Sequence, residues 1–203
     1  SKRALALEAI AVDRDIVGET VGIQDHLASA FGGLNRMDFN GQREDFIVTP
    51  IPLGKIQLKA FREHLLLFYT GIDRHASEVA ARQVVKFGEN EHLIKWMVTN
   101  VDEGQRLLMA GDFREFGLLL EDAWQMKRRF GASNDTVDAI HDMALKAGAL
   151  GAKILGAGEG GFMLIMAESG RHEEIRDALA GLLHVPFEFE AQGSQIVYYS
   201  GEE

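Results

Sequence analysis

The sequence predicts an α+β protein, and three features predict it. Leu65-Leu66-Leu67-Phe68-Tyr69 is an unbroken apolar run, the pattern of a strand buried on both faces. Two more strand segments, Ala152 to Leu155 and Phe162 to Ala167, flank a cluster of four glycines, Gly156, Gly158, Gly160 and Gly161. Helical spacing with recognisable end signals fills the stretches between and after them. The resulting order, β-α-β-β-α-β, is that of a ferredoxin-like unit with extra helices between its first two strands.

The elements follow in chain order. Leu5, Ala9, Val12 and Ile16 recur at spacings of four, three and four, which predicts a helix over Ser1 to Ile16 stopped by Gly18. A helix that opens at the first residue leads to the expectation that the chain begins partway through a larger protein. A loop through Gly22 leads to a short helix over 24–31, closed by Gly32-Gly33. Residues 34–39 and 46–51 alternate as strands around an Asn40-Gly41 turn. Pro50, Pro52 and Gly54 then break the ladder, so a boundary is expected near 52–60, giving domains 1–55 and 56–203.

Thr70-Gly71 closes the apolar strand ahead of a helix over about 74–87, and two further helices follow. The second carries a capping-box pair, Asp112 and Glu115, and a stop at Gly131. Another helix, capped by Ser133 or Asn134, runs to about Ala147. After the glycine cluster and its flanking strands come a helix over 171–183 and short strands near 185–189 and 195–199.

A chain of 203 residues that is 46% hydrophobic can bury a proper core. Its formal charge of -10 disfavours nucleic acid and anionic membrane as partners, so an anionic substrate would need a local basic pocket. With no cysteine there is no disulfide, thiolate zinc site or thiol nucleophile, and a cytoplasmic setting is expected. The first segment lacks the apolar stretch of a signal peptide, and no run approaches the length of a membrane span. The seven histidines show no metal-ligand spacing.

Gly156-x-Gly158-x-x-Gly161 matches the dinucleotide fingerprint as a string, but that fingerprint needs a helix after it and Phe162 to Met166 reads as a strand. The glycines therefore serve either a turn between strands or a close approach of backbone to another loop or a ligand. No P-loop pattern occurs. Asp25 falls at the start of a short helix, where a carboxylate contributes a few tenths to about 1 kcal/mol whether or not it has another role.

Four segments taken together carry more than any one of them. Val21-Gly22-Ile23-Gln24-Asp25-His26 with Ala30-Phe31-Gly32-Gly33, then Leu67 to Gly71 with Arg74 and Ser77, then Trp124 to Arg128, then Gly148 to Gly158, resemble the GHMP small-molecule kinases, above all the heptose phosphate kinases. The resemblance covers nearly the whole chain and implies ATP-dependent phosphorylation of a sugar or sugar phosphate hydroxyl, with ATP and Mg2+. It implies that Asp25 is the catalytic acidic residue; a carboxylate at a helix N-terminus is a weak base toward an alcohol, so its role would be to align the hydroxyl. It implies cofactor binding at Gly156, Gly158, Gly160 and Gly161, and substrate binding at Gly22, Asp25, Thr70, Gly71, Arg74 and Gly158, with no metal ligand in this chain. Lys127, Arg128 and Arg129 read as partners of a helix dipole.

Two departures accompany the resemblance. Glu159 interrupts a run of glycines. The segment starts just after the family's glycine- and serine-rich phosphate loop, so the chain alone is expected to be inactive. Leu5, Val12, Ile16, Phe39, Phe46 and Ile47 would then lack cover, which predicts self-association or loss of order over 1–50. The competing reading is a non-catalytic ferredoxin-like module that binds a ligand or another chain. An upstream glycine-serine loop followed by a helix would separate the two.

Overall fold

The computed structural model describes residues 1–20, 22–41, 45–73, 79–82 and 91–198. They divide into two compact units, Ser1–Pro52 together with the segment from Phe189 onward, and Leu53–Glu188.

In the first unit, α1 spans Lys2–Ala11, with the Ser1 hydroxyl accepting from the Ala4 amide at 3.2 Å. A π-helical stretch, Val12–Val17, continues it and stops at Gly18, whose φ of 82° puts it in the left-handed region. Helix α2 is Gln24–Phe31, and the hairpin β1, Asn35–Phe39, and β2, Phe46–Pro50, pairs antiparallel with Asn35 opposite Pro50. Pro50 thus ends the ladder from inside, a position where its missing donor costs least.

The core of this unit is Ala6, Ile10, Leu27, Ala30 and Phe46. The stripe expected from the sequence is therefore corrected: Ala6 and Ile10 face inward, whereas Leu5, Val12 and Ile16 are 43%, 46% and 77% exposed. Both stripes have helical spacing, and small residues at Ala6 and Ala30 let α1 and α2 approach closely. Phe46 is likewise buried rather than uncovered, with the Arg3 guanidinium 4.2 Å from its ring centroid. The segment has its own small core.

The segment after Phe189 returns to this unit instead of adding strands to the other. The Gly33 amide donates to the Glu190 carbonyl at 2.7 Å, and the Ser194 amide to the Ser29 carbonyl at 2.9 Å. Gly32 and Gly193 meet backbone to backbone; a Cβ on Gly32 would lie 2.0 Å from the Gly193 nitrogen. The strand expected near 185–189 lies slightly earlier, at Leu183–His184, with the Val185 amide donating to the Leu67 carbonyl at 2.8 Å; residues 195–198 form no strand, because this return takes them away from a neighbouring strand.

The second unit opens with α3, Lys55–Arg62, a helix absent from the sequence prediction, whose Phe61 packs on Phe113 at 5.4 Å between ring centroids. Strand β3 is Leu65–Tyr69. Residues 79–82 are helical, and the rest of the helix expected over 74–87 lies outside the described residues. Then come α4, Glu91–Ala110, α5, Phe113–Arg129, and α6, Asp135–Lys146. Asn134, rather than Ser133, caps α6 by accepting from the Val137 amide. Asp112 sits at the N-cap of α5, but its side chain makes no capping hydrogen bond, so the box expected with Glu115 is not formed.

Strands β4, Gly151–Ile154, and β5, Phe162–Met166, are followed by α7, His172–Ala178, and the two-residue β6, Leu183–His184. The sheet order is β4-β5-β3-β6 with antiparallel neighbours throughout, which is the ferredoxin-like order. Leu66, Phe68, Ile165, Met163, Ala152 and Ile154 share one face and bury against Trp124 of α5, Ile140 of α6 and Ile175 of α7.

One ion pair lies inside this core. His141, 1% exposed, faces Glu121 at 2.9 Å, and the same carboxylate accepts from the Ala152 amide at 3.2 Å, joining α6, α5 and β4. Burial alone would push His141 down, but the Glu121 hydrogen bond and charge, with Asp142, outweigh it and raise it. Burial would likewise raise Glu121, yet His141, Gln125 and the Ala152 amide lower it. The raised imidazole contributes stability below its ordinary value of 6.5 and loses it as pH climbs through the folded value. The lowered carboxylate contributes above its ordinary value of 4.5 and loses it as pH falls through the folded value. Glu121→Gln should therefore cost most, about 2–3 kcal/mol, between those two values and less on either side. Chemical denaturation of both proteins across pH checks it; a cost independent of pH would contradict it.

Candidate active site

The β4–β5 connection is built to bring backbones together. The Leu155 amide donates to the Phe162 carbonyl at 2.9 Å and extends the ladder one residue, after which the chain turns through left-handed conformations at Gly156, Gly158, Glu159 and Gly161. A Cβ on Gly158 would lie 2.4 Å from the Ala132 carbonyl oxygen, and one on Gly160 would lie 2.8 Å from that of Ile72. These glycines allow two loops to approach, one between α5 and α6 and one after β3.

Hydrogen bonds fix both approaches. On one side the Glu159 amide donates to the Ala132 carbonyl at 2.8 Å, and the Asn134 side chain donates to the Glu159 carbonyl at 2.8 Å. On the other, the Gly161 amide donates to the Ile72 carbonyl at 3.0 Å, while the Thr70 amide and hydroxyl both donate to the Gly161 carbonyl, at 2.9 and 2.8 Å. Thr70 is 5% exposed, and Gly71 turns the chain with φ 75°. The predicted residues Thr70, Gly71, Gly160 and Gly161 thus come together in one cluster with Gly156 and Gly158. Arg74 and Ser77 lie outside the described residues.

Three further residues hold the loop. Lys127, at the end of α5, donates its ammonium to the Gly156 carbonyl, so it braces the loop in addition to neutralising a helix end. Arg128 pairs with Asp138 at 2.7 Å across the α5–α6 turn. The Glu159 carboxylate turns to Arg82 at 2.6 Å, which removes the uncompensated charge that its position among glycines suggests. Its left-handed φ of 61° costs about 1 kcal/mol or more for a non-glycine residue, held here by the amide, carbonyl and carboxylate bonds together. A contact 77 residues away in sequence leaves no periodic signal.

In the first unit, Gly22 and Asp25 are exposed, with Asp25 in the first turn of α2 behind an N-cap, Ile23, that offers no capping side chain. The neighbouring imidazole is already engaged: His26 Nε2 lies 2.8 Å from the Asp13 carboxylate. Asp25 is therefore an exposed carboxylate of its turn, while His26 ties α2 to the π-helical stretch.

Residues 105–184, which hold the braced loop, match the family described as GHMP kinases C terminal. Over that stretch the chain is similar to the C-terminal part of the GHMP kinases. It is 28% identical over 182 residues to the D-glycero-alpha-D-manno-heptose 7-phosphate kinase of Campylobacter jejuni, covering 86% of this chain and 52% of that protein. A galactokinase of Thermococcus kodakarensis is 27% identical, with 90% and 58% covered. A D-glycero-D-manno-heptose 1-phosphate kinase from Bacteroides thetaiotaomicron superposes with a TM-score of 0.63 at 25% identity, over 96% of this chain and 55% of that one. The chain spans little more than half the length of the curated relatives named here.

The fit of this chain to ATP and Mg2+ is decided by its donors. A phosphate cradle needs amides with no protein acceptor, and those of Glu159 and Gly161 are already donating to carbonyls. Among the described residues, no group of three carboxylates or imidazoles is placed to hold a metal. Two of the loop's amides are thus spent on bracing and cannot also serve a phosphate.

Proposed function

We propose that this chain is the acceptor-side portion of an ATP-dependent sugar or sugar phosphate kinase that works with Mg2+ in the cytoplasm, with a heptose phosphate type of substrate. The observation that carries the reading is the 28% identity to a heptose 7-phosphate kinase across 86% of the chain. In it, Asp25 accepts a hydrogen bond from the attacking hydroxyl and fixes its direction for in-line attack; little proton removal is needed early in a loose transition state. Gly22 gives the substrate room against the backbone, and Thr70, Gly71 and Arg74 address its phosphate. Gly156, Gly158, Gly160 and Gly161 line the donor side; two of their loop's amides are spent on bracing, so the loop contributes shape and rigidity more than charge.

An assay of ADP release over a panel of sugars and sugar phosphates tests this. A protein of the relatives' full length should turn over with one of them, while the 203-residue chain alone should show no measurable turnover. Turnover by the chain alone would refute its expected inactivity. The braced amides of Glu159 and Gly161 favour the second reading, a non-catalytic binding module, to the extent that the full-length protein accepts nothing in the panel.

Self-association belongs to the same proposal. Leu5, Val12, Ile16, Val17, Phe39 and Ile47 of the first unit are between 43% and 77% exposed. Burying each fully would gain roughly 1.5–3 kcal/mol, enough together to drive pairing of chains. Light scattering on the 203-residue chain should give a mass above 22.4 kDa that falls on Ile16→Lys with Ile47→Lys; a monomer at all concentrations would contradict it.

A further inference from the structure

A second, separate cleft lies in the ferredoxin-like unit, between the end of α3, strands β3 and β6, and α7. Its volume is about 470 Å³, within the range of small-molecule sites. Arg62, His172, Arg176 and His184 line it together with Leu65 and Pro186. In a chain of net charge -10, such a gathering of basic side chains stands out. Glu63, which also lines it, and the flanking Glu168 and Glu188 are already matched. Glu63 pairs with Lys59 at 3.6 Å, Glu188 with Arg62 at 2.8 Å, and Glu168 lies 3.6 Å from both His64 and Arg114.

What lacks a match is on the basic side. His172 Nε2 is buried with no hydrogen-bond partner, and among the described residues Arg176 makes no ion pair. A buried polar atom without a partner is destabilising, and an occupant of the cleft would remove that cost. We propose that this cleft binds a small organic anion, its phosphate or carboxylate group held by Arg176, His172 and His184 and its apolar body resting on Leu65 and Pro186. The titration of the rings agrees with a shortage of negative charge. Burial, then Arg176, and then His64 and His184 push His172 down, against a hydrogen bond to the Ala167 backbone that raises it. Burial, Arg176 and Arg62 push His184 down. An anion supplies the missing charge, so binding should raise both rings and should itself tighten as pH falls and the rings take up protons. This site is independent of the kinase assignment.

The imidazole C–H resonances of the 203-residue chain, titrated with inorganic phosphate and separately with isobutyrate against sodium chloride at equal ionic strength, test the proposal. One anion should shift His172 and His184 saturably and raise their titration midpoints, while His26 of the other unit stays still. A stronger response to phosphate assigns a phosphate monoester, and a stronger response to isobutyrate assigns a carboxylate. Arg176→Gln, an exposed substitution on α7, should weaken that binding about tenfold, the loss of one charge-assisted hydrogen bond. Rings that respond to neither anion beyond chloride, or an Arg176→Gln chain that binds as tightly as the parent, would overturn it.

Discussion

Asp25→Asn, in a protein of the relatives' full length, is expected to cut turnover by roughly a hundredfold or more while leaving ATP affinity within about twofold. Asparagine keeps the size and one acceptor oxygen of aspartate but loses its charge and presents an amide donor where the hydroxyl must donate. The position is exposed in the first turn of α2, so the substitution removes no buried contact, and loss of the helix-terminal carboxylate costs at most about 1 kcal/mol of stability. Steady-state kinetics with separate ATP titration decides it. A fall in ATP affinity with turnover intact would transfer Asp25 to the donor side.

Gly158→Ala should be the most damaging single substitution in the braced loop, lowering stability by roughly 2–4 kcal/mol. Two independent penalties act at that residue. Its φ of 114° lies where an L side chain is strained, and the added Cβ would sit 2.4 Å from the Ala132 carbonyl oxygen and 2.7 Å from the Ala132 Cβ. The neighbour is backbone at the α5–α6 turn, so it cannot swing aside as a long side chain would. Gly161→Ala tests the first penalty alone, because its φ is 85° and a Cβ there meets nothing within 4 Å; about 1 kcal/mol is expected. Denaturant unfolding of the two variants compares them directly, and equal costs would show that the loops do not pack as described.

Local sequence signals reached the sheet and most of the helix ends. The Leu65 to Tyr69 run, the Asn134 cap and the stop at Gly131 are each set by residues within a few positions, and each lies where the pattern puts it. Helix α3 was missed because it is eight residues long with a single fully buried position, Phe61, too little to establish a period. The choice between the Leu5 and Ala6 stripes of α1 depends on which face α2 covers, a tertiary fact that spacing cannot carry. The strand expected near 185–189 forms two residues earlier, at Leu183–His184, whereas the one expected near 195–199 alternates well enough in sequence, yet the chain past Phe189 spends its backbone bonds on Ser29 and Gly33 instead. In the candidate site, the glycines were legible as a place of close approach, but their partners, Ala132 and Ile72, and the braces Lys127, Asn134 and Arg82 were not. Those contacts join residues 25 to 89 positions apart and follow from packing of whole elements.

Phosphorus NMR of the products formed by a protein of the relatives' full length, supplied with ATP, Mg2+ and a heptose 7-phosphate, tests the central claim most directly. The account predicts ADP and a new sugar phosphate ester in equal amounts, with ester formation lost in Asp25→Asn. Release of inorganic phosphate alone, or ester formation undiminished in Asp25→Asn, would contradict it.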